Sequence, residues 1–149
     1  DESESRGLGD VYKRQPMTYM NDSGKFLPQL LSHFDCSVDH TIVVHDEIAF
    51  PLGALKVSRN KSAGGHNGVK SVISSIGSGF ARFRVGIGTK PDSEVNLADF
   101  VLSKLNSEDW ALLQARKNYL CQSLSNLLDD GVDIAMNLIN QINRSPKPS

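Results

Sequence analysis

The spacing of apolar and polar positions divides the chain into alternating helical and extended stretches. Phe26, Leu27, Leu30, Leu31 and Phe34 recur at helical intervals and predict an amphipathic helix over residues 23–34. Ser23 is its candidate cap, and Pro28 lies close enough to the start to be tolerated. Residues 41–45 form a β-branched run, the pattern of a buried strand. Pro51, Leu52 and Gly53 supply turn chemistry, after which residues 54–58 continue extended. Residues 60–68 read as a loop opening a helix over residues 69–76, with Val69, Val72, Ile73 and Ile76 on one face. Residues 80–88 alternate, with Ala81, Phe83, Val85 and Ile87 on one side and Arg82 and Arg84 on the other, which predicts a strand.

A loop is expected over residues 89–96. Ser107, Glu108 and Asp109 then open a helix running to about residue 128, the acids suiting the positive end of its macrodipole. Asp129, Asp130 and Gly131 stop it, a second helix reaches about residue 142, and residues 144–149 read as a frayed tail. Strands alternating with helices predict a single α/β domain over residues 16–143. Residues 1–15 show neither periodicity and are read as a non-native or disordered segment. Residues 10–15, DVYKRQ, back-translate into a transposon end used in sequencing libraries. The expectation is that they are adapter read-through and that the natural protein begins upstream.

Length and composition narrow the class. A chain of 149 residues suits one domain with its own core, and 39% apolar with 22% charged residues is ordinary for a soluble globular protein. No apolar run has the length of a membrane span, and no signal peptide is recognisable. Cys36 and Cys121 lie far apart and in no CxxC pair, which argues against a disulfide framework or a zinc site and favours a cytoplasmic protein.

The net charge of −1 conceals an asymmetry. Residues 48–91 contain no acid, while Lys56, Arg59, Lys61, Lys70, Arg82, Arg84 and Lys90 all fall there. An anionic partner such as phosphate accounts for this, and so does a solvated face balanced by distant acids. Charge alone leaves both open.

The candidate chemistry lies between residues 43 and 68. Asp46 and Glu47 follow the predicted strand, where α/β proteins place their sites. Asp46 is a candidate to orient a histidine, against the simpler reading of a local cap, whereas Glu47 is expected to be solvated. His45 and Asp46 should point to opposite faces of the strand, so their adjacency makes no dyad.

In the run Gly64, Gly65, His66, Asn67, Gly68, the glycines let backbone approach a ligand and the helix start offers N–H groups to an anion or carbonyl oxygen. Asn67 can donate and accept at once, and His66 reads either as a base or as a hydrogen-bonding positioner. The GK[ST] ending of a Walker loop is missing. His33 and His40 are expected in solvent. Upstream, Asn21 is a helix cap or a polar contact, and Tyr19 either stacks on a base or sugar or packs. No convergent metal-ligand set is evident.

Four ordered motifs carry a resemblance. P-x-TYMN-x-SG at residues 16–24, VVHDEIAFPLG at 43–53, SAGGHNGVKSVIS at 62–74 and FRVGIG at 83–88 resemble the bacterial peptidyl-tRNA hydrolase family, and FVLSKL at 100–105 is similar to the segment before that family's last helices. The match in order and spacing covers residues 16–142. It implies an α/β fold with a mixed central sheet flanked by helices, acting as a monomer without metal or cofactor. The implied activity is hydrolysis of the ester joining a peptide to the terminal ribose of tRNA.

Carried over by motif, Asn21 helps hold the peptide or water near the ester, and Tyr19 lies beside the substrate. Asp46 stabilises the catalytic histidine. His66 and Asn67 bind substrate, Asn67 also helping to position water, and Arg84 grips the tRNA terminal phosphate. The lysine that shares this grip in the family falls near Ser58 here, so Lys56 or Arg59 would supply the charge. The family also opens with a strand and a GLGNPG-type loop, followed by a TRHN run holding the general-base histidine. This chain has neither, although Gly7, Leu8 and Gly9 echo the opening. The expectation is therefore a truncated, inactive member with its first strand region missing. The alternative is a non-catalytic RNA-binding scaffold similar to plant chloroplast splicing cofactors, which share this fold.

Overall fold

Where the periodicity leaves the leading segment blank, a short antiparallel pairing forms between β1 (Glu4–Ser5) and β2 (Val11–Tyr12). The computed structural model describes residues 4–5, 11–88, 96, 99, 103 and 105–142. Nearly all of the loop expected at 89–96, most of the FVLSKL motif and the tail at 144–149 lie outside the described residues. Contacts divide the chain into two compact units, residues 1–35 with 62–77 and residues 36–61 with 78–149.

In the first unit, the Tyr12 ring stacks on Phe34 with centroids 4.2 Å apart, tying β2 to the end of α1 (Leu27–His33). This helix begins later than the apolar spacing predicts. Phe26 is its N-cap, and Pro28 sits within its first two positions, where a missing N–H costs nothing. Ser23 does not cap it: its hydroxyl donates to the Met20 carbonyl oxygen at 2.8 Å, closing a 3-10 turn over Met20–Asp22. Asn21 lies inside that turn and is no helix cap either. The helix α2 (Asn67–Ile76) starts ahead of its expected boundary because His66 caps it, and Val69 and Val72 are buried.

The second unit holds β3 (Ile42–Glu47), β4 (Leu55–Arg59) and β5 (Ala81–Gly86) in the order β3-β5-β4, with β5 parallel to β3 and antiparallel to β4. The α/β class follows the predicted pattern, and the mixed sheet is the one that the family resemblance implies. The strand β3 runs further than its β-branched core, so Asp46 and Glu47 belong to it rather than follow it.

On one face of the sheet, Leu55, Val57 and Phe83 are buried with Leu127 of α3 (Ser107–Asp130) and with Ala135 and Ile139 of α4 (Val132–Ile142). Asn106 caps α3 by accepting the Asp109 N–H at 2.8 Å. At the free edge of β4, the Asn140 amide accepts the Val57 N–H at 3.3 Å and donates to the Val57 carbonyl at 3.1 Å. This covers an edge that would otherwise template pairing with another chain. Among the described residues no helix is long and apolar enough to cross a membrane.

Gly86 explains one glycine of the FRVGIG motif. The turn after β3 folds back so that the Gly53 N–H donates to the Gly86 carbonyl at 2.9 Å and the Gly86 N–H to the Ala54 carbonyl at 2.8 Å. A Cβ on Gly86 would overlap the Pro51 carbonyl oxygen and stand 3.0 Å from Phe50 Cβ. Gly86→Ala is therefore expected to cost about 1–3 kcal/mol, since backbone rather than a side-chain tip must move. Urea unfolding measures it, and an unchanged midpoint would contradict the packing described.

Candidate functional site

The first unit assembles a polar depression from two distant sequence segments. Gly64 and Gly65 adopt φ of 59° and 90°, a left-handed pair that glycine enters without strain, and the turn closes by the His66 N–H donating to the Ala63 carbonyl at 3.1 Å. The His66 Nδ1 accepts the Val69 N–H at 3.2 Å, satisfying one of the orphan donors at the start of α2. Nδ1 is thus unprotonated, and in the neutral ring the proton sits on Nε2. Asn67 follows as the first helical residue, exposed.

Two glycines bring the Met20–Asp22 turn against this helix. A Cβ on Gly68 would overlap the Met20 sulfur, so the bare glycine lets the thioether rest on the first turn of α2. Gly24 is buried, and a Cβ there would overlap the Ser71 carbonyl and stand 2.7 Å from Val72 Cα. The Gly24 N–H donates to Ser71 Oγ at 2.9 Å. In consequence Asn21 and Asn67 line one open depression with Lys70, Ser71 and Ser74. Tyr19, one position before the turn, is 86% exposed in extended conformation.

The second unit carries Asp46, Arg84, Lys56 and Arg59. Strand register places Val43, His45 and Glu47 of β3 on the same face as Arg82 and Arg84 of β5 and Lys56 and Ser58 of β4. This is the polar side of the sheet, and among these residues only Lys56 is exposed. Glu47, expected in water, is only 9% exposed, and its carboxylate takes the Arg84 Nη2 at 2.6 Å. Burial is tolerated because the ion pair satisfies both charges, as an isolated carboxylate could not be. The Arg84 guanidinium also lies 4.9 Å from the Phe50 ring centroid, and Lys56, its register partner, has Nζ 5.9 Å from the same ring.

Arg82 is 2% exposed, since β5 is the central strand and both its faces are covered. Burial, and after it the neighbouring Arg84, pull its pKa below the ordinary guanidinium value, with Glu47 opposing. Its Nε donates to His45 Nε2 at 3.0 Å, while His45 Nδ1 donates to the Asp46 carbonyl at 2.7 Å. Both ring nitrogens of His45 are thereby committed, and its link to Asp46 runs through backbone, consistent with side chains on opposite faces. The half-buried Asp46 occupies the penultimate position of β3. Lys56 is exposed, and Arg59 donates Nη2 to the Asp39 carbonyl at 3.1 Å.

Sequence reasoning read Glu47 as solvated and passed over Phe50 and Ser71. Only Glu47 left a usable signal: it shares the parity of His45 in a strand that pairs with one carrying Arg82 and Arg84. Among the described residues no three His, Cys, Asp or Glu side chains gather to hold a metal.

A peptidyl-tRNA hydrolase family model matches residues 3–147. The chain is 44% identical over 131 residues to the peptidyl-tRNA hydrolase of Fervidobacterium nodosum, covering 86% of this chain and 67% of that protein. It is 39% identical over 127 residues to that of Lachnospira eligens, covering 85% and 68%. Among solved structures, the peptidyl-tRNA hydrolase from Acinetobacter baumannii superimposes with a TM-score of 0.80 at 31% identity, over 92% of this chain and 70% of that one.

Proposed function

The chain belongs to the peptidyl-tRNA hydrolase family, and from that membership we propose that it binds peptidyl-tRNA and acts on the ester between the peptide and the terminal ribose. The observation that carries this reading is the convergence of Asn21 and Asn67 in one depression. Each primary amide offers two donors and an acceptor. Together they can hold the ester carbonyl and orient a water against it, and their donors strengthen as charge develops on the carbonyl oxygen.

Tyr19 offers an exposed ring for stacking on a base or sugar. His66 serves as a positioner, because its Nδ1 is spent on the helix cap. Asp46 is the carboxylate suited to orient a general-base histidine, a partner that none of the four histidines in this sequence supplies. Arg84 takes the terminal phosphate, its guanidinium held in place by Glu47 and Phe50. Lys56 adds an exposed charge beside it, and Arg59 is the third candidate.

The test is binding of an acceptor-stem RNA carrying a non-hydrolysable 3′-amide-linked peptide. Asn21→Ala and Asn67→Ala are each expected to weaken binding roughly fivefold, the scale of one lost hydrogen bond. Unchanged affinity in both variants would overturn this reading.

A further inference from the structure

The Met20–Asp22 turn is a single 3-10 turn, too short to hold its own position, yet Asn21 is presented from it. Its neighbourhood shows what holds it. Gly24 lies directly on the backbone of α2, with no room for a Cβ, and its N–H reaches Ser71 Oγ at 2.9 Å across 47 positions of sequence. Ser71 also lines the depression shared by Asn21 and Asn67.

We propose that Ser71 is a positioning residue for substrate binding: by accepting the Gly24 N–H it clamps the Met20–Asp22 turn onto α2 and sets where Asn21 stands relative to Asn67. The inference rests on the proposed role of the two asparagines. Its physical basis is that the Met20 sulfur on Gly68 is a soft contact that can slide, whereas a hydrogen bond fixes distance and direction. Ser71 sits one turn beyond Asn67 on the same helix, so the hydroxyl that locates the turn and the amide that must meet it share one rigid element.

The test uses the full chain with Ser71→Ala and Ser71→Thr. Alanine is the better helix former, so any loss in Ser71→Ala does not come from melting α2. Removing the acceptor is expected to speed exchange of the Gly24 amide by about five- to tenfold and to weaken the peptidyl-RNA mimic by a similar factor. The side-chain amide resonances of Asn21 should shift with it. Threonine keeps the hydroxyl and should restore all three. Faster Gly24 exchange with unaltered mimic affinity would make Ser71 merely structural and overturn the proposal, as would unaltered Gly24 exchange. If the unsubstituted chain does not bind the mimic, the functional reading of the depression fails. The Gly24 exchange and Asn21 resonances then still decide whether Ser71 sets the position of that side chain.

Discussion

Peptidyl-tRNA is expected to be hydrolysed by this chain ~10²–10⁴-fold more slowly than by the Fervidobacterium nodosum relative, the usual cost of lacking a positioned general base. The reason lies in where its four histidines stand. A histidine acts as general base with one ring nitrogen toward water and the other donating to a carboxylate. His45 spends both nitrogens, on the Asp46 carbonyl and on Arg82. His66 accepts the Val69 N–H through Nδ1, so its Nε2 carries the proton that a base must lack. His40 pairs with the Ser37 hydroxyl at 2.9 Å, and His33 stands exposed at the end of α1, edge-on to Phe34. Turnover of the two proteins at matched purity measures the difference. A rate within tenfold of the relative's would sink the idea, and Ser71→Ala should then slow that turnover while His66→Ala reports whether its ring does the work.

The second large effect falls on stability. Glu47→Ala is expected to cost about 3–5 kcal/mol, the range for removing one partner of a buried ion pair. The two side chains are 15% and 11% exposed, so solvent screens the pair weakly. Without the carboxylate, Arg84 would share a covered sheet face with Arg82, whose charge burial and Arg84 already disfavour. Glu47→Gln keeps an acceptor for Arg84 and should lose less. The pair Glu47→Leu with Arg84→Met should recover much of the loss, because it removes both charges instead of stranding one. Urea midpoints for the three variants decide it, and a loss below about 1 kcal/mol in Glu47→Ala would show that the pair is solvated after all.

Much of the fold was legible because local pattern and tertiary outcome agree. Val69 and Val72 at helical spacing, and Ala81 and Phe83 at alternate positions, became buried faces of α2 and β5, with Val85 half-buried beside them. Boundaries moved where a single residue's chemistry outweighed periodicity. Pro28 and an uncapped Phe26 delayed α1, and the His66 ring let α2 begin at Asn67. The glycines of the motifs were visible as glycines, but the backbones they accommodate were not, since Gly24 answers to Ser71 and Val72 and Gly86 to Pro51.

By itself the sequence determined the elements, the candidate polar residues and the family, because periodicity, turn chemistry and ordered motifs are local properties of the chain. Tertiary structure alone decided which of those residues lie together. Glu47 and Arg82 look solvated in sequence, since alternation records the side of a strand and not what covers that side. The β3-β5-β4 order turned them into buried partners on a central face. Asn21 and Asn67 line one depression because Gly24, Gly68 and Ser71 permit a turn to lie on a helix, and no local pattern encodes a contact between segments so far apart.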